Sequence, residues 1–280
     1  MFRRRHVPRT RGWVRRPDGT RLSLQVEGRR GAPALLLLQG QANSDAWWDR
    51  LRGDFADAWL TVTFDYRGTG TTELAPGGEE RGPAWSTAGF AQDAAAVLAA
   101  VGRDTADVYG TSMGGRVAQE LALARPDLVR RLVLACTSSG GAPAVHRTRD
   151  VGLLLAGPDG QERQRGLVDL FYTPAWTHAH GGYDAVPRDL LGDPSMSVEA
   201  TRRHLETSSD HDAADRLGDL AAPTLVLHGT DDLMVPAANA DVLAGLLPHA
   251  RTRLVEGGRH GFFDEHRGVV VPWVREFLTG

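Results

Sequence analysis

Three short stretches of this chain carry residue types that together could transfer an acyl group to water. Gly110-Thr111-Ser112-Met113-Gly114 is a G-x-S-x-G run. Leu227-His228-Gly229-Thr230-Asp231-Asp232 ends in two adjacent carboxylates, and Gly257-Gly258-Arg259-His260-Gly261 sets a histidine among glycines. A serine hydroxyl is a poor nucleophile at neutral pH; it needs an imidazole to take its proton and an acid to fix the imidazole tautomer. Ser112, His260 and one of the two aspartates supply those three roles. They occur in the order serine, acid, histidine, the order expected when the serine sits on a strand-to-helix elbow.

The motif means little without that elbow, because glycine and serine are common in loops. Here Ala106-Asp107-Val108-Tyr109 reads as a short buried strand before it. Gly115 to Arg125 follows with Val117, Ala118, Leu121 and Ala124 at helical spacing. A serine on so sharp a turn presents its Oγ outward, with a helix N-terminus behind it. The Met113 N–H is then placed to stabilise an oxyanion.

The remaining elements must bring these loops to one place. Gly12-Trp13-Val14 and Arg21–Val26 flank a Pro17-Asp18-Gly19 turn and read as a hairpin. Continuous apolar runs at 34–38 and 60–64 read as strands covered on both faces. Further strands are expected at 131–135, 223–227 and 252–255, and helices at 46–55, 90–101, 237–247 and 269–278. Strands alternating with helices imply a mainly parallel sheet with right-handed crossovers, which binds ligands beyond the carboxyl ends of its strands. The alternation breaks between Ser138 and Ala222, a segment rich in glycine, proline, charge and aromatics. It is expected to be a helical lid, in which Phe171, Tyr172, Trp176 and Tyr183 either line an apolar pocket or form the lid's own core.

Composition narrows the function classes. With 32 basic and 35 acidic residues the net charge is -3, so no overall field recruits nucleic acid or anionic membrane. All the basic residues are arginine, which rules out lysine chemistry, and the single cysteine, Cys136, excludes an internal disulfide. His178 and His180 have no carboxylate cluster beside them at ligand spacing, so neither metal nor cofactor is expected. The arginine-rich start lacks an apolar segment after it and reads as a solvated leader rather than a secretory signal. No stretch approaches the roughly 20 apolar residues of a membrane span, and a cytoplasmic location is expected.

Taken together, G-T-S-M-G-G, H-G-T-D-D-L-M-V-P and G-G-R-H-G resemble the α/β-hydrolase-fold family, in its esterase, enol-lactonase and cofactor-free haloperoxidase-like branch. Leu35-Leu36-Leu37-Leu38-Gln39-Gly40-Gln41 is similar to the family's oxyanion strand, and Asp65-Tyr66-Arg67-Gly68-Thr69-Gly70 to its D-x-R-G-x-G loop. The resemblance implies an α/β fold with a mostly parallel eight-stranded sheet flanked by helices and a helical lid after the sixth strand. It divides the chain into a basic disordered leader (1–11), a first core part (12–138), the lid (139–222) and a second core part (223–280). By the family's spacing the acid is Asp232 rather than Asp231, and the oxyanion hole is the N–H groups of Gln41 and Met113. Gln39 stands where many relatives have histidine. With Trp47, Phe171, Tyr172 and Trp176 it is a candidate substrate contact, although core packing suits the adjacent Trp47 and Trp48 as well. The implied activity is hydrolysis of a small to medium, largely apolar carboxylic ester or lactone. C–C bond hydrolysis, perhydrolysis, acyl transfer and ligand binding without turnover are the alternatives. The expected partner is that small molecule alone, the protein being a monomer or homodimer.

Overall fold

The computed structural model describes residues 6–80, 82–158 and 160–280. Eight strands form one sheet: β1 (His6–Arg15), β2 (Arg21–Arg29), β3 (Ala34–Leu38), β4 (Leu60–Phe64), β5 (Ala106–Thr111), β6 (Val129–Ala135), β7 (Thr224–Gly229) and β8 (Ala250–Val255). The spatial order is β1-β2-β4-β3-β5-β6-β7-β8. β2 pairs antiparallel with β1 and β4, and every other pairing is parallel. β3, β4 and β5 are buried along their whole length, as parallel strands covered by helices must be. Strand order reverses at β3, whose neighbours are β4 and β5. A crevice therefore opens beyond the carboxyl ends of β3 and β5.

Two apolar layers cover the sheet. One contains Phe90, Val97 and Leu98 of α1 (Thr87–Ala100) and Val117 and Leu121 of α2 (Met113–Ala124). The other contains Trp47, Trp48, Phe262, Phe263 and the apolar face of the C-terminal helix Arg267–Thr279. The segment between β6 and β7 carries α3 (Arg149–Ala156), α4 (Gln161–Phe171), α5 (Pro174–Ala179) and α6 (Val198–Ser209). Side chains of Thr148, Thr173 and Ser197 cap three of these by accepting a backbone N–H three residues on. Among the described residues no helix is long and apolar enough to cross a membrane.

Two expectations need correcting. Residues 6–11 are not a disordered leader but the first half of β1, paired with Val26–Arg29 and Gln25 across the hairpin. Their arginines lie along a sheet edge with partners: Arg9 bonds Glu27 and pairs with Asp49, and Arg11 donates to Ser23. Residues 1–5 of that expected leader lie outside the described residues. Residues 46–55 form two 3₁₀ pieces, Asp45–Arg50 and Arg52–Asp54, rather than an α-helix. Adjacent Trp47 and Trp48 must both be buried there, one against Phe263 and the other against Tyr109.

Two buried histidines tie α6 and its flank to the core. His204 is fully buried, and desolvation pushes its pKa down to about 4. Burial, with the Arg116 and Arg216 charges, pushes His211 down to about 3. Both are neutral in the folded state, whereas the unfolded chain protonates them below its ordinary histidine pKa of about 6.5. Each contribution to stability is present above that value and is lost as pH falls towards the folded pKa. The loss is about 2 kcal/mol per residue at pH 5. Asp45, driven up to about 7 mainly by burial and by Asp65, acts in the opposite direction over the same window. Comparison with a variant isolates one histidine. His211→Gln is expected to narrow its stability gap to the wild type by about 2 kcal/mol between pH 7.5 and 5, read from urea midpoints. A gap that is constant with pH would mean that His211 is not held neutral.

Candidate active site

β5 ends at Thr111 and α2 begins at Met113, leaving Ser112 alone at the turn. Its backbone lies at φ 53° and ψ -120°, a region that residues with a Cβ rarely enter. Glycines on either side make the turn possible. A Cβ at Gly110 would lie 2.3 Å from the Gly114 carbonyl oxygen, and one at Gly114 would lie 2.2 Å from that of Leu38. Both obstacles are backbone, which cannot swing aside. Gly114→Ala is therefore expected to cost at least about 2 kcal/mol. A urea midpoint equal to the wild type's would contradict that packing. Met113 is the first residue of α2, so its N–H has no acceptor within the helix and carries part of the positive end of the dipole.

The loop after β3 passes directly beside the serine: a Cβ built on Gly40 would lie 3.5 Å from Ser112 Cβ. Gln41 follows, and Ala42 then turns through φ 57°. The Ala42 N–H donates to His204 Nδ1 at 3.2 Å, while His204 Nε2 lies 2.8 Å from the Arg67 carbonyl oxygen. A carbonyl only accepts, so Nε2 carries the proton and Nδ1 is free to accept. α6 thereby holds the strained loop that carries Gln41. The Gln39 side chain is fully buried and donates from Nε2 to the Phe64 carbonyl oxygen at 2.8 Å. It points into the sheet and is not a substrate contact.

On the loop after β7, Asp232 Oδ1 accepts backbone N–H bonds from Met234 and Val235, both at 2.9 Å. Oδ2 lies 2.7 Å from His260 Nδ1 and 3.5 Å from His228 Nε2. Burial raises the carboxyl pKa, but the two histidines outweigh it and hold the group at about 2. The ionised carboxylate can only accept, so Nδ1 of His260 bears the proton and Nε2 is left free to accept one. Asp231, the alternative acid, is exposed, its carboxylate accepting from the Thr230 hydroxyl at 3.3 Å. His260 lies on the loop after β8 and is braced by the inserted segment: its N–H donates to the Leu170 carbonyl oxygen at 3.1 Å, and that of Gly261 to the Phe171 carbonyl oxygen at 2.8 Å. The Phe171 ring stands edge-on to the imidazole at 5.4 Å.

Ser112 and His260 line one cavity of about 800 Å³, counting its open mouth. Gln41, Trp47 and Phe171 also line it. Tyr172 and Trp176 do not, which corrects the sequence expectation for both. The Tyr172 hydroxyl donates to Asp264, and its ring stacks on Trp176 at 3.9 Å. Trp176 stacks in turn on His180, whose Nδ1 lies 2.8 Å from the Trp176 carbonyl oxygen. These aromatics thus pack among themselves instead of facing the cavity. Sequence reasoning missed His204, Arg116 and Arg147. Arg116 stands four residues after the serine, on the first turn of α2, and that spacing was the available signal.

The profile of the alpha/beta hydrolase fold matches residues 33–267, most of the chain. The chain belongs to the α/β-hydrolase fold family. It is 31% identical over 248 residues to the RutD protein of Caulobacter vibrioides strain NA1000 / CB15N, covering 88% of this chain and 90% of that one. That protein's name provisionally assigns it the hydrolysis of a carbamate. Among solved structures of the fold, the esterase RhEst1 from Rhodococcus sp. ECU1013 superposes with a TM-score of 0.78. It is 25% identical, with 96% of this chain and 98% of that chain covered. The enol-lactonase from Burkholderia xenovorans LB400 has a TM-score of 0.78 at 21% identity, covering 97% of this chain and 100% of that one. At that identity the likeness concerns the α/β-hydrolase fold alone.

Proposed function

We propose that this α/β-hydrolase cleaves a carboxylic ester or lactone through an acyl-enzyme, with Ser112 as nucleophile, His260 as base and Asp232 as its orienting acid. The observation that carries the reading is the 2.7 Å contact between His260 Nδ1 and an ionised Asp232, with a strained serine lining the same cavity as the imidazole. Ser112 Oγ attacks the carbonyl carbon as its proton passes to His260 Nε2. The Gln41 and Met113 N–H groups receive the developing oxyanion. As the tetrahedral adduct collapses, His260 returns that proton to the leaving oxygen. A water molecule then gives its proton to His260 and attacks the acyl carbon, releasing the acid and restoring Ser112.

Carbamate hydrolysis is a second reading, drawn from the RutD relatives, since the same attack serves that carbonyl. The cavity wall speaks for a larger molecule: Trp47, Leu167, Phe171, Met234 and Phe263 offer an apolar surface that a free carbamate does not use. The test is labelling with a serine-directed fluorophosphonate, followed by a panel of esters, lactones and carbamates. Labelling of Ser112 with turnover of esters or lactones is the expected result. An unlabelled Ser112 in folded protein would overturn the acyl-enzyme mechanism, and turnover of carbamates alone would overturn the substrate class.

A further inference from the structure

The cavity beside Ser112 is lined by Arg116, Arg147 and Arg163, and no aspartate or glutamate is among the described residues that line it. Arg116 is only 9% exposed, yet its partners are neutral. Its guanidinium donates to the Ser208 carbonyl oxygen, to Ser208 Oγ at 2.7 Å and to Ser138 Oγ at 3.2 Å, while its Nε finds no acceptor among the described residues. Burial, reinforced by the Arg147 charge, lowers its pKa to about 10, so it remains charged at neutral pH in surroundings that disfavour the charge. Arg147 is half-buried, feels the field of Asp232, and makes no hydrogen bond among the described residues. A buried guanidinium without a counter-ion is costly, and an ionised ligand that supplies the missing charge recovers that cost.

We infer that Arg116 and Arg147 form an anion-binding subsite, and that the substrate of this hydrolase carries a carboxylate besides its scissile ester or lactone. The guanidinium fork suits a carboxylate, which it engages through paired N–H donors. The apolar wall formed by Trp47, Phe171, Met234 and Phe263 accommodates the carbon skeleton between the two polar ends. The inference rests on the hydrolytic reading for its scissile bond, but the anion subsite itself does not.

The test compares mono-p-nitrophenyl esters of succinic, glutaric and adipic acids, which keep a free carboxylate, with the same esters carrying a neutral carboxamide in its place. The expected kcat/KM ratio, anionic over neutral, is at least about 30 for the best spacer, in the range for a charge-assisted bond. Arg147→Gln and Arg116→Gln should each lower that ratio at least about tenfold. Arg116→Gln removes three hydrogen bonds and risks the fold; Arg147→Gln removes none, so it decides if the first variant fails to fold. A role limited to holding Asp232 would depress both substrates together and leave the ratio unchanged. A wild-type ratio near one, or a ratio that Arg147→Gln does not lower, would overturn the subsite. Binding of glutarate and of glutaramide, measured by calorimetry, reads the subsite without turnover. Arg147-dependent preference for glutarate in a protein whose Ser112 resists fluorophosphonate would sink the hydrolytic reading and keep the subsite. Labelling with equal affinity for both compounds would do the reverse.

Discussion

Ser112→Ala is expected to lower kcat/KM by on the order of 10⁴–10⁶ on any ester that the wild type cleaves, with the fold intact. Removing Oγ deletes the only atom that the proposed mechanism makes covalent with substrate. The Gln41 and Met113 N–H donors stay in place, so a residue of catalysis over water should survive. Stability should hardly change. Four bonds anchor the backbone of residue 112: its N–H donates to the Ala135 carbonyl oxygen at 2.9 Å, while its carbonyl oxygen accepts from Gly115 N–H at 3.0 Å, from Arg116 N–H at 3.4 Å and from the Thr137 hydroxyl at 2.7 Å. None uses the serine hydroxyl. Steady-state kinetics with a urea midpoint on the same preparation makes the check. An alanine variant within tenfold of wild-type rate would move the nucleophile elsewhere.

The sheet and its elbow were legible because each announces itself locally. The run Ala34–Leu38 admits no exposed face, and the glycines around Ser112 are required by carbonyl oxygens a little over 2 Å from where a Cβ would stand. β1 was missed over residues 6–11 for the opposite reason. Arginine alternating along an edge strand resembles a solvated tail until Glu27 and Asp49 are known to lie beside it. The inserted segment was legible only in outline. Its capping residues Thr148, Thr173 and Ser197 were readable signals for three helix starts, and they went unused. Which way its aromatics face was not readable. Asp264 and Glu265, nearly a hundred residues on, take the Tyr172 hydroxyl and the Thr173 N–H and turn Tyr172 and Trp176 away from the cavity. The same limit hid Arg116. Helical period puts it near the serine, but only Ser208 and Ser138 fix the guanidinium in the cavity wall.

Asp232→Asn is expected to cost about 10⁴ in kcat while leaving the fold in place, and Asp231→Asn no more than about twofold. The difference follows from what holds each side chain. Backbone N–H groups of Met234 and Val235 converge on one oxygen of Asp232, so in the asparagine that position must be taken by the amide oxygen. The amide NH₂ then turns towards His260 Nδ1, which must accept where it now donates. The imidazole shifts its proton to Nε2, and the nitrogen facing the cavity can no longer take the proton of Ser112. The same NH₂ would also approach His228 Nε2, which donates to the Val235 carbonyl oxygen at 2.9 Å, so two donors would face each other. At position 231 the amide meets only solvent and the Thr230 hydroxyl, and the backbone bond from its N–H to Gly258 is unaffected. Kinetics on the two variants side by side, with far-ultraviolet circular dichroism to confirm folding, separates them. Equal losses at both positions, or a larger one at 231, would mean that the exposed aspartate is the working acid and that the contact with His260 is only structural.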